Sequence, residues 1–158
     1  MGKPSPKGAS FGVHRAVPFL HVADVDASVA FYALLGLDSN HVLRGGDGGA
    51  FWGHVWGSGA SDRVGEVMFA KASEPVIPEQ QAVLLYMYTA DVKALRKHLL
   101  ANGLSDGGRY CGQAGPNNGR RVVFEISHPD YMDDGEIRVA DPDGYCILVG
   151  QYDGWPDR

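Results

Sequence analysis

Two stretches of this chain repeat one construction, an aspartate, an amphipathic helix and a closing glycine, and that repeat restricts the fold more than any other feature. The first is VADVDASVAFYALLGL from Val22, and the second is YTADVKALRKHLLANGL from Tyr88. In the first, Val25, Val29, Phe31, Tyr32, Leu34 and Leu35 recur at three- and four-residue steps, the period of a helix with one apolar face. Asp24 or Asp26 supplies the N-cap, and Gly36 the left-handed residue that ends the helix. In the second, Asp91 starts the helix, Gly103 stops it, and Leu95, Leu99 and Leu100 share a side. A strand-like run precedes each helix, Ala16 to Val22 in one case and Ala82 to Thr89 in the other.

Beyond each helix the chain is again strand-like. After the first come Leu37 to Leu43, Ala50 to Trp56 and Gly65 to Ala72, separated by the turn-forming RGGDGG and GSGASDR. After the second, Ser105 to Asn118 is Gly-rich and irregular, Arg120 to Ile126 reads as a strand, and GEIRVADPDGYCILVGQ closes the chain as a hairpin. In that hairpin Glu136, Ile137, Arg138 and Val139 alternate polar and apolar, DPDG turns the chain, and Tyr145 to Val149 is apolar on both faces. The expected fold is therefore α+β: two tandem βαβββ modules forming a curved mixed sheet around a cleft, with the helices outside. The expected divisions are a disordered arm over 1–13, a first module over 14–74, a linker over 75–81, a second module over 82–152 and a tail over 153–158.

A chain of 158 residues has the length of one domain and buries roughly 70% of its unfolded surface, so it needs no covalent staple. A net charge of −5 argues against phosphate backbones and anionic membranes as partners: no nucleic acid and no membrane are expected. The two cysteines, Cys111 and Cys146, have no metal-binding spacing and read as reduced thiols. The opening residues lack the apolar run of a secretory leader, and a cytoplasmic location is expected. GGDGG at Gly45 to Gly49 is not followed by the Lys-Ser/Thr of a phosphate loop.

The runs PFLHVADVDASVAFYALLGL, ADVKALRKHLLANG and EIRVADPDGYCILVGQ together make the chain resemble the vicinal oxygen chelate superfamily, which includes glyoxalases, bleomycin-resistance proteins and extradiol dioxygenases. In the metal-dependent members, the resemblance implies, a divalent ion is held by four side chains, mostly His and Glu, from the first and last strands of each module. Counted onto this sequence, three of those positions fall on Val17, Leu84 and Leu148. The fourth falls within Val67 to Phe69, in a strand whose only carboxylate is Glu66. Aliphatic side chains donate no lone pair, so no metal and no cofactor is expected.

Strand alternation suggests what lines the cleft instead. Phe19 and His21, Tyr86 and Tyr88, and Glu136 and Arg138 with Leu148 would face inward, and Trp52, His54 and Trp56 share a face. Aromatic walls with a few polar groups suit a small-molecule pocket, while Trp52 and Trp56 equally suit a core or a subunit contact. His54 with Glu66, and His128 with Asp130, could form acid/base pairs, but with no nucleophile signature nearby both read first as surface or loop residues. Asp133, Asp134 and Glu136 read as a solvated acidic turn.

The function expected is that of a glyoxalase/bleomycin-resistance-like protein that binds a planar or cationic small molecule in a metal-free aromatic cleft, for sequestration or resistance. Its resemblance to the bleomycin-resistance branch implies a homodimer with clefts at the interface. The alternative is an enzyme: a metal-dependent lyase or dioxygenase with displaced ligands, or a metal-free isomerase with His21 or Glu136 as general base.

Overall fold

The computed structural model describes residues 13, 15–58, 65–112 and 121–152. The expected arm, Val13 apart, and the expected tail lie outside the described residues. The first module runs β1 (Phe19–Val22), α1 (Val25–Leu34), β2 (Ser39–Arg44), β3 (Ala50–Trp56) and β4 (Glu66–Lys71). A short 3₁₀ turn at Pro78–Gln80 leads to the second: β5 (Leu84–Thr89), α2 (Val92–Ala101), β6 (Ser105–Asp106), β7 (Val122–Val123), β8 (Glu136–Ala140) and β9 (Cys146–Gln151).

The two helices are capped by the same devices. Asp24 accepts a hydrogen bond from the backbone N–H of Ala27, and Asp91 from that of Ala94, both at 2.9 Å. At the other end Gly36 and Gly103 take φ of +90° and +92°, where a side chain would be strained. The N–H of Leu37 then reaches back to the Tyr32 carbonyl, and that of Leu104 to the Leu99 carbonyl, both at 3.1 Å. Leu37 and Leu104 carry the chain from those glycines into the core. The repeat visible in the sequence is thus a repeat of cap chemistry.

Each module forms its own mixed sheet. The first has the order β1-β4-β3-β2 and the second β5-β9-β8-β7-β6. In both, the strand before the helix pairs parallel with the last strand of its module, Phe19 opposite Met68 and Leu84 opposite Cys146. One face of each sheet is closed by its helix, and the core fills the space between: Leu20, Val22, Val55, Val67 and Phe69 in one module, Leu85, Ile137, Val139, Ile147 and Val149 in the other.

Of the strand expected over Arg120 to Ile126, Arg120 lies outside the described residues, and among the others the pairing is regular only at Val122–Val123. Phe124 still donates to Arg138 and Ser127 still exchanges bonds with Glu136, so two residues of one strand stand opposite one of the other. The N–H of Glu125 faces the other edge, as alternation requires, and donates to the Gly108 carbonyl, 2.9 Å distant. Within the stretch read as irregular, Ser105 and Asp106 add a short parallel edge to Val122 and Val123.

The modules are joined by the DPDG turn. Asp141 accepts from the N–H groups of Asp143 and Tyr145 at 2.9 and 2.8 Å, and from the Tyr32 hydroxyl of α1 at 3.2 Å. Asp143 accepts from the N–H of Ala23, and the Tyr145 hydroxyl donates to the His21 carbonyl, both at 2.9 Å. Burial outweighs these donors at Asp141 and pushes its carboxyl up to about 7.

Candidate functional site

The faces the helices leave open carry the chain's chemistry. On the first sheet Phe19, His21, Trp52, His54 and Trp56 all lie on the side opposite the core, as alternation requires. Their rings form a run: His41 to Trp52, Trp52 to His54 and His54 to Trp56 are separated by 6.0, 6.2 and 5.0 Å between centroids. Glu66 beside them is held by Arg15 and receives His54 Nε2 at 2.9 Å. A carboxylate only accepts, so Nε2 carries the proton. Burial, then the positive charge of Arg15, lowers the His54 pKa and favours the neutral ring.

On the second sheet Tyr86, Tyr88, Glu136, Arg138 and Leu148 share the open face; Tyr86 and Arg138 flank Leu148 on either side. Glu136 is only 1% exposed. Its carboxylate accepts from the Tyr86 hydroxyl at 2.6 Å and from the Tyr131 hydroxyl at 3.3 Å. Burial first, and the bond to Glu136 second, raise the Tyr86 phenol far above its ordinary range, so Tyr86 stays a donor. Arg138 lies over the Tyr110 ring, 4.2 Å from its centroid. Burial pushes the Cys146 thiol upward, opposed by the nearby Arg138.

Glu136 and Arg138 open onto a recess of about 560 Å³ whose other walls include Tyr110, Tyr131, His128 and Arg109. His21 lines a different cavity, of about 410 Å³, between the end of β4, the linker and Tyr145. Trp52, His54, Trp56, Phe19, Tyr86 and Tyr88 line neither, Tyr86 reaching the recess only through its bond to Glu136. Within one chain, then, the nine residues expected to share a cleft divide into an aromatic face on the first sheet, a charged and tyrosine-rich recess on the second, and His21 at the joint. His128 bonds through Nδ1 to the Asp133 carbonyl at 2.9 Å. Glu136, read as part of an acidic turn, is buried instead.

Three residues escaped the sequence reading. Tyr110 sits in the irregular Gly-rich stretch and Tyr131 in a loop, where no periodicity assigns a face. Gly150 is the third: a Cβ there would stand 2.8 Å from the Tyr86 hydroxyl and 2.6 Å from Met132 Cε. The bare backbone is what lets Tyr86 reach Glu136 across β9. Strand alternation places Gly150 on the face of Leu148, and that was the available signal.

The positions where the resembled enzymes hold a metal do not fit one here. Leu84 is exposed, Leu148 is buried and Val17 precedes β1, and none has a lone pair. Met68, on the open face of β4, offers only a thioether, and Glu66 is already engaged. Among the described residues no three His, Cys, Asp or Glu side chains come together as a metal-binding group. No helix among them is long and apolar enough to cross a membrane.

Paired open-faced sheets of this strand order define a known fold, that of the bleomycin-binding and glyoxalase-related proteins. A bleomycin resistance determinant encoded on the transposon Tn5 superposes with a TM-score of 0.61 over 90% of this chain and 100% of that one, at 16% identity. The bleomycin-binding protein of bleomycin-producing Streptomyces verticillus, bound to copper(II)-bleomycin, gives 0.58 over 87% and 95%, at 17% identity. A glyoxalase-related enzyme from Clostridium phytofermentans gives 0.59 over 89% and 95%, at 15%. At these identities the likeness is one of fold. No protein-family model matches the chain, and no curated protein matches it.

Proposed function

We propose that this protein binds a planar or cationic small molecule stoichiometrically, without turnover, as a sequestering protein. The observation that carries this reading is the recess on the second sheet, where a buried carboxylate and a stacked guanidinium stand among tyrosine rings. Small-molecule sites combine apolar walls with a few placed polar groups in just this way. The likeness to two proteins described as bleomycin-binding or bleomycin-resistance proteins supports it.

The open faces also support assembly of two copies. Phe19 is 58% and Leu84 63% exposed, and Tyr86, Tyr88 and Phe51 are exposed beside them. Apolar surface of this kind is stabilised by a partner. A second copy would bring the aromatic face of one chain over the tyrosine recess of the other and unite the residues that one chain keeps apart.

The neutral His54 on Glu66 supports a second reading, a metal-free isomerase, because it holds a base and a carboxylate in contact. Calorimetric titration with bleomycin and with a planar acridinium dye separates the two. Saturable binding, recovery of unchanged compound and weakening of at least about fivefold in Trp52→Ala are expected. Release of a converted product, or about one tightly held transition metal per chain by elemental analysis, would replace the binder by the enzyme.

A further inference from the structure

Resting on that reading, we infer that the recess of the second sheet recognises an aromatic zwitterion, a ligand carrying both a cationic nitrogen, taken by Glu136, and a carboxylate, taken by Arg138. The two residues alternate on one strand and one face, so their Cα atoms stand about 6.6 Å apart. Their side chains are long enough to meet. They do not: Glu136 turns to the hydroxyls of Tyr86 and Tyr131, and Arg138 to the ring of Tyr110.

Three other arginines of the chain do pair with carboxylates. Arg15 closes on Glu66, Arg44 on Asp26 and Arg96 on Asp106. Among the described residues neither Glu136 nor Arg138 has an ion-pair partner, although Glu136 is more deeply buried than any of those three carboxylates. A charge taken from water without a counter-ion is costly, and that cost is removed when a ligand supplies one. Hydroxyls and a ring hold both groups in place beforehand, so little side-chain entropy is lost on binding.

The remaining surroundings fit the same ligand. Tyr110 and Tyr131 offer ring faces to an aromatic body. Tyr131 is 66% exposed and holds Glu136 by one bond of 3.3 Å, so an incoming ammonium displaces it readily. Arg109 and Glu125, both exposed, stand at the rim and add one charge of each sign.

The test uses four indole probes in calorimetric titrations: L-tryptophan, tryptamine, indole-3-propionate and indole. With the wild-type chain L-tryptophan should bind at least about tenfold more tightly than either singly charged probe, which corresponds to about 1.4 kcal/mol. Glu136→Gln should weaken L-tryptophan and tryptamine about tenfold and leave indole-3-propionate unchanged. Arg138→Met should do the reverse. If Glu136→Gln fails to fold, Tyr131→Phe replaces it: removing one donor from the carboxylate on an exposed ring should tighten tryptamine severalfold and leave indole unchanged.

A zwitterion that binds no better than the singly charged probes, or variants that weaken all four alike, would overturn the inference. The acridinium dye keeps that failure distinct from failure of the broader reading. Dye binding that Trp52→Ala weakens, with no probe bound, removes the zwitterion site and leaves the planar-ligand protein standing. With neither bound, both fall.

Discussion

A single missing side chain governs the recess. Gly150 lies opposite Glu136 across the β8–β9 pair, and only its bare backbone leaves room for the Tyr86 hydroxyl. Gly150→Ala should therefore push Tyr86 off Glu136 and destabilise the chain by about 1–3 kcal/mol, the usual cost of overpacking, as read by urea unfolding. Asp141 is the second residue whose surroundings determine its behaviour. Unfolded, its carboxyl titrates near its ordinary value; folded, burial raises it to about 7. Between those values the folded chain keeps a proton that the unfolded chain has lost. Its contribution to stability is full below about pH 4 and falls as pH rises to about 7, by no more than about 1.4 kcal/mol per unit. In Asp141→Asn that component of the slope should vanish, so the variant gains on the wild type as unfolding is repeated from about pH 5 to about pH 8.

The helices are the elements whose limits the sequence displays most openly. Cap and stop residues act locally, through bonds to backbone groups three to five positions away, so Gly36, Asp91 and Gly103 were legible as they stood, and the first cap was narrowed to Asp24 or Asp26, of which the structure selects Asp24. Asp91→Ala should cost about 1 kcal/mol by loss of the bond from Ala94, measurable in thermal unfolding at neutral pH. The strand before the closing hairpin is the contrary case. Val122 to Ile126 has the composition of a strand, but a bulge opposite Ile137 breaks its pairing, and a bulge depends on the partner strand. The hairpin itself was legible, while its docking onto α1 through Tyr32, Asp141 and Tyr145 was not. Those bonds join residues more than a hundred positions apart.

At the scale of the molecule, two sheets each covered on one side leave two faces to account for. If a second copy covers them, sedimentation should give a dimer in the micromolar range, and Leu84→Glu, a charge placed on a largely exposed apolar residue, should shift it to monomer without altering the thermal transition of the chain itself. A monomer at all concentrations would leave the two faces to ligand alone. The sequence alone determined the repeat of strand, helix and strands, the caps, and which residues of each strand share a face, because these arise from backbone bonding and from periods of two and of three to four residues. It also placed Glu136, Arg138 and Tyr86 on the open side. Only the tertiary structure decided that Glu136 is buried beneath two tyrosines with no counter-ion among the described residues, that Tyr110 and Tyr131 join it, and that the tryptophan face lies apart. Those facts depend on where loops without periodicity cross a sheet, and on contacts between distant residues that no local pattern encodes.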